Sequence, residues 1–261
     1  MFILKKYFRD IKESKDLIWY LTISDFKSQS ARTYIGFIWW ILDPILYMMI
    51  FYFLVQVILQ RGGEDYAVFL FVGLIPLKWT MACLVDSTTA ISSKVRILQQ
   101  IYVPKIVFIT VRLCTNTLKF LVSSVMMFLF LLVYGVDVTT LAFYYFLIAF
   151  IQMLLLLGFM MILAHVGVFF RDIKNMMQYI TRTLFYLSPV LYTLDRVPEN
   201  VMPFLYVNPL TTFIVSYRNV FLYEELPMFS FMLMWLGVAI VLIYIGGKIL
   251  HRFENQYAKV I

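Results

Sequence analysis

The 261 residues are 62% hydrophobic and 18% aromatic but only 14% charged, with a mean hydropathy of +0.85. A soluble domain carries roughly a quarter charged residues, so the composition excludes an ordinary water-soluble enzyme and fits one membrane domain. The +7 net charge sits in short segments between apolar runs, as membrane topology requires, and this argues against a nucleic-acid-binding surface.

Residues 1–34 are charged throughout, without the short apolar core and small-residue cleavage site of a signal peptide. They read as an amphipathic interface helix: Trp19, Ile23 and Phe26 fall at helical spacing, with Leu17, Ile18 and Leu21 nearby. Lys12, Lys15, Lys27 and Arg32 supply a basic face. A simple membrane anchor is an equal reading. A lipid-crossing helix needs about 20 mostly apolar residues, which 35–59 meets despite Asp43 and Pro44, and which 67–85 meets despite Pro76 and Lys78. The segment 94–105 is short and basic, and its apolar Ile97, Leu98 and Ile101 suit a groove on a soluble partner. On the residues alone, a plain positive-inside loop is the simpler reading. The remaining expected spans are 113–134, 141–170 with His165 as its only titratable group, 176–194 with Arg182, and 229–247.

The stretch 201–223 is apolar but divided by Pro203 and by Asn208-Pro209. Proline disfavours helix at the residue before it and lacks a donor, so neither piece would cross a bilayer. With six spans, one side holds 17 of the Lys and Arg residues and the other side 3. The first side is then cytoplasmic and carries both termini. A seventh span would move Lys248, Arg252 and Lys259 outside. The expected fold is therefore all-α: six transmembrane helices, an N-terminal interface helix and an outer re-entrant helix pair within 197–223.

Asp43, Lys78, Asp86, Arg112 and Lys119 lie in or at the ends of spans, where ionisable groups are expensive. Lys78 and Arg112 are expected to snorkel to an interface. No proton relay is evident. Cys83 and Cys114 read as reduced packing residues. Aromatics crowd the first and fifth spans; many would form interfacial belts, while an excess lining a pathway would stack on sugar rings. The sequence has no GxxxxGK[ST], HExxH, CxxC or GxSxG motif, so it is not itself a P-loop ATPase, and no metal site is expected.

The run from Asp25 to Pro44, with Ile35-Gly36, Trp39 and Pro44, resembles the entry segment of ABC-2-type polysaccharide export permeases. Ile101-Tyr-Val-Pro-Lys105, Phe169-Phe-Arg-Asp-Ile173, Tyr186-Leu-Ser-Pro-Val190, Val197-Pro198, Asn208-Pro-Leu210 and Tyr217-Arg218 follow in family order. Ile35, where leucine is commoner, and Asp43, where an uncharged residue is usual, depart from that pattern. The resemblance implies two copies of this chain, each above a separate ATPase subunit that holds ATP and magnesium, with no cofactor on this chain. It further implies coupling through Arg96, Ile97, Leu98, Ile101, Tyr102 and Pro104, and a gating interface helix with Trp19, Ile23, Phe26 and Arg32. The implied substrate pathway runs along Phe37, Trp39, Trp40, Tyr47, Phe185, Tyr186 and Tyr192. Arg171 and Asp172 would form a structural turn, and Asn208, Pro209 and Arg218 the outer re-entrant region.

The cargo so implied is a lipid-diphosphate-linked polymer crossing a bacterial cytoplasmic membrane. Wall teichoic acid is preferred because the chain is compact, with O-antigen or capsule as the alternative. An ion-coupled secondary transporter would want an internal repeat and midplane acids, and neither is found. A membrane-embedded transferase would want clustered acidic groups, but Asp195, Glu199, Glu224 and Glu225 are dispersed.

Overall fold

The computed structural model describes residues 2–31, 34–95, 100, 102–254 and 256–257. Among these there are helices and turns but no strand. The N-terminal segment forms two helices, α1 (Phe2–Glu13) and α2 (Lys15–Ala31). A 3₁₀ turn (Gly36–Ile38), α3 (Trp39–Tyr52) and a π-helical stretch (Phe53–Ile58) form the first long apolar rod. α4 (Tyr66–Ser87), α5 (Lys105–Tyr134) and α6 (Tyr144–Phe169) follow. Then come α7 (Ile173–Leu187), α8 (Met202–Tyr206), α9 (Pro209–Leu222) and α10 (Phe229–Arg252).

α4 is the central post and packs against α3, α5, α6, α7 and α9. Its apolar residues continue right around the helix, as burial on all sides requires. α6 and α10 form the largest helix pair, meeting where Gly158 lies under Leu242 and Ile243. Gly167 has the closest approach to backbone: a Cβ there would sit 1.8 Å from the Thr88 carbonyl oxygen. Only glycine lets the end of α6 lie against the turn after α4. Cys83 and Cys114 are free thiols, the first fully buried.

Proline inside α3 leaves a mark on its neighbour. Pro44 has no N–H, so the Trp40 carbonyl one turn back loses its helical donor. The Ser123 hydroxyl of α5 donates to that carbonyl at 3.0 Å. This is the usual way an interrupted membrane helix is re-satisfied.

Among the described residues, five helices are long and apolar enough to cross a membrane: Gly36–Ile58, Tyr66–Ser87, Lys105–Tyr134, Thr140–Phe169 and Phe229–Arg252. The expected span 176–194 differs. Its helix, α7, stops after 15 residues, about 22 Å at 1.5 Å per residue. Ser188 is extended (φ −94°, ψ 147°) because Pro189 follows it. The expected span 113–134 begins eight residues late, since α5 already starts at Lys105. Extended Pro104 precedes it, and Ile106, Val107, Phe108 and Ile109 bury its first turns. The stretch 197–223 is indeed broken at Asn208-Pro209, into the unequal helices α8 and α9.

α2 turns a different face inward from the one its spacing suggested. Ile18 and Leu21 pack with Val103, Val107, Phe108 and Val111, and Asp25 is buried beside them. Trp19 and Tyr20 are left 66% and 70% exposed. Apolar residues occur on both sides of this helix, so periodicity alone does not select the packed side; the partner α5 does.

Candidate functional site

One end of the bundle gathers α1, α2, the segment between α4 and α5, and the chain's C-terminal part. Asp25 of α2 pairs with Lys94 at 2.7 Å and with Arg112 of α5 at 3.3 Å. Arg112 also donates to the Ser93 hydroxyl at 3.2 Å. The other side of the same segment is held as well. The Tyr102 hydroxyl donates to Glu254 Oε1 at 2.6 Å, and Lys6 of α1 lies 3.2 Å from Glu254 Oε2. Tyr7 donates to the Gly247 carbonyl at 2.9 Å. The short connection from α4 to α5 is therefore tethered to α2 through Lys94 and, through Tyr102, to Glu254 just past α10, which Lys6 of α1 also holds. A push on it would reach three helices.

The charges at this end are tuned by these contacts. The hydrogen bond to Glu254, reinforced by burial, pushes the Tyr102 hydroxyl up to about 12. Burial works against ionisation of Glu254, but the Tyr102 hydroxyl and the Lys6 ammonium outweigh it and hold the carboxyl below its ordinary value. Burial likewise raises Asp10.

The turn Phe170–Asp172 lies at this same end, because Phe169 packs on Phe253 and Tyr257, and His165 Nδ1 lies 2.8 Å from the Tyr257 hydroxyl. Arg171 and Asp172 are exposed on it, and the Asp172 carbonyl accepts the Met176 amide of α7 at 3.1 Å. At the opposite end Arg196 donates to the Arg61 carbonyl at 2.7 Å, and Tyr66 to the Leu191 carbonyl at 2.9 Å. The contacts thus sort these connecting segments into the same two groups as the basic-residue count.

Of the expected gating residues, Phe26 packs with its ring 4.0 Å from that of Trp40 at a 44° tilt, Ile23 is half-buried and Trp19 is exposed; Arg32 lies outside the described residues. So do Arg96, Ile97, Leu98 and Ile101, while Tyr102 is exposed and Pro104 half-buried. Of the pathway aromatics, Phe37, Trp39, Tyr47 and Tyr186 present exposed rings on α3, its leading turn and α7. Trp40 is turned inward, and Tyr192 is half-buried with its hydroxyl on the Leu187 carbonyl at 3.3 Å. Phe185 is buried against Phe51 at 4.9 Å and joins α7 to α3 instead of presenting a surface.

The break between α7 and α9 is built around Asn208 and Arg218. Asn208 caps α9 by accepting the Leu210 amide at 3.0 Å, with Pro209 at the first helical position. Its amide donates to Ser188 at 2.9 Å. Arg218, 3% exposed, donates to the carbonyls of Phe69, Pro189 and Val190. A Cβ on Gly73 would lie 2.7 Å from its guanidinium, so glycine makes room for it.

Several partners escaped the sequence reading. Gln152, inside the longest apolar run, donates to the Pro76 carbonyl and the Thr80 hydroxyl and accepts from Tyr217 at 3.1 Å. An amide in so apolar a run was a visible signal. Lys78 does not simply snorkel: it pairs with Asp43 and lies 3.7 Å from the Tyr47 ring centroid. Asp25 and Glu254 carried no signal, as their partners are remote in sequence.

The ABC-2 type transporter family matches residues 16–222, from α2 to the end of α9. An O-antigen export system permease protein RfbA of Klebsiella pneumoniae is 26% identical over 253 residues, covering 94% of this chain and 95% of that protein. A protein of the same name from Myxococcus xanthus is 26% identical over 253 residues, covering 96% and 97%. The match takes in the tethered connection, the α3–α7 face and the Arg218 break together, and the chain is a multi-pass membrane protein of the ABC-2 type transporter family.

Proposed function

We propose that this chain is the transmembrane permease subunit of an ATP-driven exporter of an O-antigen-type polysaccharide. The end-to-end likeness to two O-antigen export permeases carries this reading. It favours the O-antigen alternative over the teichoic acid preferred from the sequence. The polymer would travel lipid-linked across a bacterial cytoplasmic membrane, with both termini and the 94–105 segment in the cytoplasm. The sorting of basic segments to one end of the bundle supports that orientation.

A separate ATPase subunit, holding ATP and magnesium, would dock at the tethered connection and drive α2 through Asp25. Two copies of the chain would meet at α3 and α7, whose exposed Trp39, Tyr47, Met49, Ile50 and Tyr186 leave an apolar and aromatic face uncovered. Exposed rings there suit the apolar faces of sugars. Co-expression with the neighbouring ATPase, followed by reconstitution into vesicles, tests the reading through ATP hydrolysis and polymer translocation. Transport by this chain alone would overturn it. Depletion in cells decides the cargo: surface O-antigen should fall, whereas loss of cell-wall phosphate would restore teichoic acid.

A further inference from the structure

Between α3, α4 and α5 lies a cavity of about 110 Å³ walled in part by Trp40, Asp43, Lys78, Trp79, Lys119 and Ser123. That is well above the ~10–15 Å³ one water needs. With its side chains ionised the wall carries two positive charges and one negative, a net of +1. Lys78 is neutralised by Asp43. Lys119 is held only by a neutral group, the Asn116 side-chain oxygen at 3.0 Å, and among the described residues it forms no ion pair.

A second donor on the same wall is also unsatisfied. Trp79 is 4% exposed, and its indole N–H has no hydrogen-bond partner among the described residues. Asp86 lies beyond Asn116, accepting from its amide at 3.0 Å, so the nearest carboxylate reaches Lys119 only through a neutral group. A cation without a direct ion pair and an N–H without an acceptor are each costly inside an apolar bundle. An anion with several acceptor oxygens would satisfy both. Asp43 is half exposed on α3, among the uncovered apolar residues Leu46, Tyr47 and Ile50. The cavity therefore opens beside a surface suited to hydrocarbon chains.

We propose that this cavity is a binding site for the phosphate group of a membrane lipid. Lys119 and the Trp79 N–H donate to the phosphate oxygens, and Lys78 joins them by turning from Asp43. The acyl chains of the lipid lie along the exposed side of α3, where lipid and a second copy of the chain would exclude one another. The site goes beyond the export reading and does not depend on it, because binding is measured without ATPase or transport.

The test is native mass spectrometry of the full chain in a neutral detergent, titrated separately with phosphatidic acid, phosphatidylcholine of the same chains, inorganic phosphate and inorganic diphosphate. One phosphatidic acid should be retained per chain in preference to phosphatidylcholine. K119Q should weaken it about tenfold or more, as expected for losing one charge-assisted hydrogen bond. W79F should weaken it less, and K119R should keep it, which separates charge from folding. D43N should tighten it by freeing Lys78. Equal retention of phosphatidylcholine, or unchanged binding in both K119Q and W79F, overturns the proposal. Retention of inorganic phosphate or diphosphate with the same dependence on Lys119, and no gain from the acyl chains, overturns the lipid as source.

Discussion

Arg218 lies with its guanidinium 3.3 Å from the Phe69 ring centroid while donating twice to the carbonyl of that same residue. One cation so joins α9 to α4, and through Pro189 and Val190 to the break after α7. Carbonyls at a helix break have no helical donor, and in an apolar bundle water does not replace it. R218A should therefore orphan them, at about 1–3 kcal/mol for each buried group left unsatisfied. Thermal unfolding of the purified chain, followed by intrinsic fluorescence, should show a clearly lower midpoint. An unchanged midpoint would remove Arg218 as the fastener of the break.

Asp25 and Lys94 are predicted to be energetically coupled. D25N and K94Q should each destabilise the chain, while the double variant loses less than their sum, by about 0.5–3 kcal/mol. In the reconstituted transporter D25N should leave ATP hydrolysis in place and raise the ATP spent per polymer moved. Strict additivity in the cycle, with an unaltered hydrolysis-to-transport ratio, would show that α2 is not driven through this pair.

The Tyr102–Glu254 tether has a defined pH window. Glu254 is held below its ordinary value of 4.5, so its contribution is complete above that value and is lost as pH falls through the lower folded value. Tyr102 is raised from 10.0 to about 12, so its contribution is complete below 10 and is lost as pH rises toward 12. Y102F and E254Q should flatten the alkaline and acid limbs respectively, measured as thermal midpoint against pH. Wild-type limbs in both variants would place the titration elsewhere. I101A combined with Y102A should uncouple ATP hydrolysis from transport, and an unchanged coupling ratio would count against a coupling role for this connection.

The uncovered face of α3 predicts its own contact. With Cys83 and Cys114 replaced by alanine, M49C and I50C in native membranes should give oxidised dimers, whereas L233C on α10 should not. Equal cross-linking at all three positions, or at L233C alone, would move the meeting of copies away from α3.

The apolar runs are legible because a bilayer demands about 20 apolar residues in a row, and among the described residues five helices meet that demand, α5 and α10 extending beyond the expected limits. At Lys105–Arg112 the expected span starts late, because Lys105 and Arg112 interrupt the apolar run although Ile106, Val107, Phe108 and Ile109 between them are buried. Pro189 is visible, yet hydropathy continues through it and places the end of α7 seven residues too late. For the site, single residues such as Arg218 and Tyr102 could be marked from the motifs they sit in. Their partners could not. Asp25 and Lys94 are 69 positions apart, and Tyr102 and Glu254 are 152 apart, and nothing local records such pairings.

The hydroxyl of Ser123 on the carbonyl that Pro44 leaves without a donor makes these two positions a single heritable unit. While proline stands at 44, alanine at 123 strands an acceptor inside the bundle. Once 44 regains an N–H, the hydroxyl at 123 becomes dispensable. Substitutions tolerated at one site thus depend on the order in which the other changes, so the history of α3 is written partly on α5.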